Sequence, residues 1–230
     1  MEDLFVLGTD TGVGKTVLSL CLMRYLTARG YDPVYLKPVQ TGCAAPDDEG
    51  SDARFIYAHV DSLKGKECGA SVIYCFREPK APLFAARSEG RQVDFPFLVE
   101  EIGRRGGNRR PRVIEGAGGV FVPLAEKRMM IDLVEKTRAR PLIAARAGLG
   151  TINHTLLTIE ALRSRQIAAP GVVLIDSGES STPSRMIEEN IEAIEQASGV
   201  RVSGVIPRIA DFDQPLGFLD PVLKDLVEPD

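Results

Sequence analysis

The segment "FVLGTDTGVGKT", from Phe5 to Thr16, constrains this chain more than any other stretch. An apolar run leads into it, a helical pattern leads out, and glycines fill the turn between. The common phosphate-gripping pattern is G-x-x-x-x-G-K-[ST]. Counted back from Gly14-Lys15-Thr16, its first glycine belongs at position 9, which is Thr9; the glycine present is Gly8. A loop between a strand and a helix start offers backbone N–H groups and the positive end of the helix dipole to an anion. Gly12 and Gly14 allow close approach, Lys15 is placed to reach β/γ-phosphates, and the Thr16 hydroxyl suits Mg²⁺. The segment therefore reads as a nucleotide loop despite its displaced glycine.

The rest of the chain repeats this alternation. "PVYLKPV", "RVIEGAGG", "PLIAARAGLG", "GVVLIDS" and "RVSGVIP" are strand-like, while Thr16 to Arg29, "TINHTLLTIEALRSRQ" and "STPSRMIEENIEAIEQAS" carry helical spacing. The strands are apolar without clean alternation, as expected when both faces are covered. The pattern predicts an α/β fold, a doubly wound, mostly parallel sheet with helices on both faces, in one domain over residues 1–230. In such sheets ligands bind beyond the strand ends, so Gly8 to Gly14, Gly116 to Gly119 and Gly148 to Gly150 should share one edge.

Composition removes several function classes. The net charge of −4 carries no basic footprint for nucleic acid, and "GRRGGNRRPR", residues 103–112, reads as a solvated turn before a strand. No apolar run approaches the ~18 residues of a membrane span. The first strand begins at once, so no signal peptide is expected. The four cysteines show no C-x-x-C spacing and two histidines make a histidine metal cluster improbable. Cys43 follows Lys37 in a glycine-containing loop, within reach of the proposed edge.

Three charged residues bear on the phosphates. Glu115 ends "RVIE" directly before "GAGG", and a charge there needs a partner or a task. Asp52 in "GSDA" reads on local pattern as a helix N-cap. Lys37, at the end of "YLK", reads either as a solvated strand-end lysine or as a point charge beside the phosphates.

"GTDTGVGKT", "KPVQTG", "SDA", "EGAGG" and "GLGTINHTLLT" stand in the order and spacing of the dethiobiotin synthetase family, which this chain resembles from about residue 5 to about residue 210. That family shares the displaced first glycine and the P-loop NTPase fold. The resemblance implies ATP- and Mg²⁺-dependent closure of a cyclic urea on 7,8-diaminopelargonate with CO₂ or bicarbonate, through a carbamate that takes up the γ-phosphoryl group. It implies a Mg²⁺ set of Thr16, Asp52 and Glu115, overriding the N-cap reading, and Lys37 and Lys15 as catalytic cations. It implies nucleotide contacts at Gly12, Val13, Gly14, Lys15, Thr16, Val17, Gly116, Ala117, Gly118, Ile175, Asp176, Pro207, Arg208 and Ile209. Substrate contacts would come from Thr11 and Thr41, and from Gly150, Thr151 and Asn153 of a partner subunit in a cytoplasmic homodimer. One position departs: Ile175 stands where the family often has an adenine-contacting Asn, so base recognition either rests on Asp176 and backbone near Pro207 or is looser than a strict preference for ATP. A rival reading, a partition-type ATP switch, needs a lysine early in the loop; Asp10 occupies that position.

Overall fold

The computed structural model describes residues 2–105, 110–167, 171–178 and 180–228. Its centre is a seven-stranded parallel sheet of β1 (Leu4–Gly8), β2 (Val34–Thr41), β3 (Val72–Phe76), β4 (Arg112–Gly119), β7 (Arg140–Arg146), β8 (Val172–Ile175) and β9 (Val202–Ile206), in the spatial order β3-β2-β4-β1-β7-β8-β9. A short antiparallel hairpin, β5 (Pro123–Ala125) and β6 (Arg128–Met129), stands outside it. Every residue of β1 is buried, and its side chains divide by parity. Leu4 and Val6 join the core beneath α1 (Lys15–Ala28), α2 (Asp52–His59) and α8 (Asp220–Val227). Phe5 and Leu7 join the opposite core, built with α3 (Pro82–Ser88), α4 (Phe95–Arg104), α5 (Met130–Thr137), α6 (Thr151–Ser164) and α7 (Ser184–Ser198). Alternate Cβ atoms leave a strand on opposite faces, so a two-sided core requires the unbroken apolar run seen in the sequence.

Register carries the expected glycine-rich exits to one edge: Gly8 pairs with Gly119 of β4 and with Ala144 of β7. Two strand ends lie further along than expected. β2 continues to Thr41, placing Lys37 mid-strand, and β4 continues to Gly119, placing Glu115 inside the sheet. Of the basic run 103–112, residues 106–109 lie outside the described residues. Arg110 pairs with Asp32 near the surface. No helix among the described residues is long and apolar enough to cross a membrane.

Candidate active site

The sequence's displaced glycine has a local explanation. Lys15 folds back so that its Nζ donates to the Asp10 carbonyl at 2.8 Å. A Cβ at position 8 would lie 2.6 Å from that carbonyl and 2.7 Å from Nζ, so the curled lysine requires Gly8. Gly14, at φ 94°, caps α1 without a side-chain bond, and the first turn holds no acid. The leading N–H groups of α1 are thereby left facing the loop, where an anion is favoured. Burial, followed by the charge of Lys37, lowers the Lys15 ammonium to about 8. An arriving phosphate would favour its charged form.

Strand parity and strand order then assemble four side chains from distant parts of the chain. Tyr35 and Lys37 alternate on the α1 face of β2, and Glu115 lies on that face of the adjacent β4. Lys37, only 4% exposed, reaches Glu115 at 2.8 Å and Asp52 at 2.7 Å. Burial alone would lower the Lys37 pKa, but the Glu115 and Asp52 carboxylates outweigh it and hold the ammonium above its usual range. Burial also opposes ionisation of Asp52, and Lys37 overcomes it, keeping that carboxyl below its usual range. Tyr35 donates its hydroxyl to the second Glu115 oxygen at 2.9 Å.

Asp52 is the first residue of α2, and the cap is Ser51, whose hydroxyl accepts from the Arg54 N–H. The local N-cap expectation for Asp52 thus fails by one residue, because its carboxylate is drawn inward by Lys37. Gln40 fixes the helix start by accepting from the Asp52 N–H at 3.2 Å.

Thr16 completes the cluster, with Oγ1 at 2.7 Å from Asp52 and 2.9 Å from Glu115. A hydroxyl carries one proton, so it cannot donate fully to both carboxylates. Two carboxylates against one lysine leave the group one negative charge in excess. That donor set fits a hard divalent cation. No three described His, Cys, Asp or Glu residues form a metal group. An ion here would need phosphate and water oxygens to fill its shell, as Mg²⁺ commonly does.

These groups open into a cleft of about 600 Å³ that also takes in Thr11, Gly12, Val17, Thr41, Ala117 and Gly118. Part of its wall, at Pro79, Lys80, Pro82 and Val122, was not anticipated from the sequence. Cys43 is buried, beside Gln40, and is not part of the lining.

A family model described as an AAA domain matches residues 2–216. An ATP-dependent dethiobiotin synthetase BioD from an Anaeromyxobacter species is 38% identical over 219 residues, covering 95% of this chain and 96% of that protein. The protein of the same name from Paramagnetospirillum magneticum is 39% identical, covering 88% and 86%. The chain belongs to the dethiobiotin synthetase family. A solved structure of a putative plasmid partition protein from Borrelia burgdorferi superposes with a TM-score of 0.57 at 12% identity, covering 97% of this chain and 96% of that one. That likeness speaks for the P-loop fold alone.

The remaining positions expected from the synthetase resemblance stand outside this cleft or beneath it. Val13 and Gly116 are buried and their side-chain positions do not line it. Ile175, 2% exposed, packs under the loop so closely that a Cβ on Gly14 would lie 2.7 Å from it. Its side chain supports the loop and presents little to a base. The Asp176 carboxylate is engaged by the N–H and hydroxyl of Thr182. A chain of contacts leads from Gly12 to Ser177 and from Gly178 to Arg208, bringing the segment Pro207–Ile209 to the same side of the loop. At the start of α6, Gly150 caps with φ 89° and no side-chain bond, repeating the design of α1. Asn153 is exposed there, but Thr151 is fully buried with its hydroxyl toward Thr155. The Thr151 side chain packs inside the first turn of α6, so what this residue offers outward is its backbone.

Proposed function

We propose that this chain forms dethiobiotin from 7,8-diaminopelargonate, CO₂ and ATP, closing the ureido ring of biotin biosynthesis. The observation that carries the reading is Lys37, a buried ammonium held between Asp52 and Glu115 beside a nucleotide loop, in a chain of this family. In the proposed sequence one amine adds to CO₂ and loses a proton, giving a carbamate. A carbamate oxygen attacks the γ-phosphorus, ADP leaves, and the second amine attacks the activated carbon, expelling phosphate with that oxygen.

Two anions must meet in this route, so the protein's task is position and charge. Lys15 and the N–H groups of α1 take the β- and γ-phosphate oxygens. Lys37 reaches toward the carbamate and the transferring phosphoryl group, kept cationic by its two carboxylates. Tyr35 restrains Glu115 from behind. Thr16, Asp52 and Glu115 would hold Mg²⁺, which would supply positive charge to neutralise the phosphates. Thr11 and Thr41 flank the diamine, and Gly150, the backbone of Thr151, and Asn153 approach it from the partner in a homodimer. Gly116, Ala117 and Gly118 border the phosphates, while Ile175, Asp176 and Pro207–Ile209 support or border the nucleoside. The chain acts as a single cytoplasmic domain under this reading.

Purified protein with ATP, Mg²⁺ and bicarbonate should release phosphate only when the diamine is added, with dethiobiotin formed in step. Phosphate release indifferent to the diamine would overturn the substrate assignment.

A further inference from the structure

The cleft holds a third lysine to which the reading above gives no task. Lys80 lies on the turn between β3 and α3, and with Pro79 and Pro82 it lines the same cavity as Lys15 and Lys37. The turn is fixed at its base: the Gly42 N–H donates to the Glu78 carbonyl at 3.2 Å, the Lys80 N–H donates to it at 2.8 Å, and Pro79 lies against Gly42. It is thereby joined to the end of β2, one residue beyond Thr41.

The three lysines differ in their commitments. Lys37 is locked between buried carboxylates and Lys15 is bonded to its own loop. Lys80 is 51% exposed, pairs with a half-exposed Glu78 within its own turn, and donates to Ser88 at 3.3 Å. An ion pair so exposed contributes little and exchanges readily for another anion. Its neighbours in the turn, Pro79, Ala81 and Pro82, give the cavity an apolar stretch of wall, to which Val122 adds. A cation at the end of an apolar strip is complementary to an aliphatic chain that ends in a carboxylate.

We propose that Lys80 is a substrate-binding residue: its ammonium exchanges Glu78 for the carboxylate at the far end of the aliphatic diamine while the methylene chain lies along the proline wall. The proposal rests on the diamine reading. It is compatible with a second donor at the same carboxylate, since the two oxygens offer about four acceptor directions.

The test compares wild type, Lys80→Met, Lys80→Arg and, as a charge control, Lys64→Met, whose lysine pairs with Asp61 on the surface. Each is assayed with 7,8-diaminopelargonate and with a vicinal alkyl diamine lacking the carboxylate. Lys80→Met should raise KM for the carboxylated diamine roughly five- to tenfold, the net scale of one hydrogen bond made by a half-exposed group. Its kcat and its KM for ATP should hold, Lys80→Arg should recover most of the loss, and Lys64→Met should match wild type. With the carboxylate-free diamine, wild type and Lys80→Met should coincide. A KM within twofold of wild type for Lys80→Met overturns the proposal. So does an equal penalty on both diamines, or a fall confined to kcat, either of which would move Lys80 to the reacting groups. Failure of wild type to form any cyclic urea would instead overturn the function on which the proposal stands.

Discussion

Lys37→Met removes the cation that contacts two carboxylates at 2.7 and 2.8 Å, where Lys37 and Glu115 are buried and Asp52 is partly exposed to the cleft. At an effective dielectric of about 20, each contact corresponds to roughly 6 kcal/mol of Coulomb attraction, and desolvation of the three groups offsets much of the sum. Removing one partner from such a cluster leaves the desolvation without the attraction, which typically costs about 3–5 kcal/mol. In a chain of this length that is a fall in Tm of roughly 6–20 °C. Two further measurements separate charge from packing. Mg²⁺ should raise the Tm of the variant more than that of wild type, because the carboxylates regain a cation. Adding Glu115→Gln should destabilise the variant less than it destabilises wild type, a coupling visible in a double-mutant cycle. Turnover should fall by about 10²–10³, while nucleotide still binds through Lys15 and α1. A variant melting within about 2 °C of wild type, with no coupling to Glu115, would refute the idea that Lys37 compensates these carboxylates.

Other consequences are as specific. Glu115→Gln should move the Mg²⁺ titration of activity to higher concentration, and an unchanged titration would leave Glu115 with a structural role only. Ile175→Ala should open a void under Gly14 at about 2–5 kcal/mol of stability, read by urea unfolding, and should raise KM for ATP by loosening the loop; an unaltered KM would detach Ile175 from loop support. Burial pushes the Cys21 thiol up to about 12 from a starting value of 9.0. The folded chain thus keeps a proton that the unfolded chain releases above pH 9, so this group's stabilisation is intact below pH 9 and declines toward pH 12. Cys21→Ser should flatten the alkaline limb of a stability–pH curve, and an identical limb would contradict the assignment.

Local pattern was enough for β1, its loop and α1, because strand, glycines and helix adjoin in the chain. It was also enough for the glycine-rich edge, since parallel strands of an open sheet end together. The cluster around Lys37 was less accessible. Glu115 lies 78 residues from Lys37 and 99 from Thr16, and only the β2-β4-β1 order brings them within contact. Lys37 therefore admitted a solvated reading until that order was known. Tyr35 was missed altogether, although its place two residues before Lys37 puts both on one strand face. Asp52 looked like a cap since the pull of Lys37 has no local trace. The Pro79–Pro82 wall has no local signal, because its seat against Gly42 depends on β3 pairing with β2 beyond Lys37.

The central claim is that a carbamate made in this cleft receives the γ-phosphoryl group. Single turnovers with CO₂ labelled with heavy oxygen, in unlabelled water, test it directly by mass analysis of the phosphate released. The account predicts one labelled oxygen in each phosphate, carried over when the carbon–oxygen bond of the carbamoyl phosphate breaks, with dethiobiotin formed in equal amount. Unlabelled phosphate beside labelled CO₂ would mean that water or another nucleophile took the phosphoryl group, and the carbamate route would be contradicted.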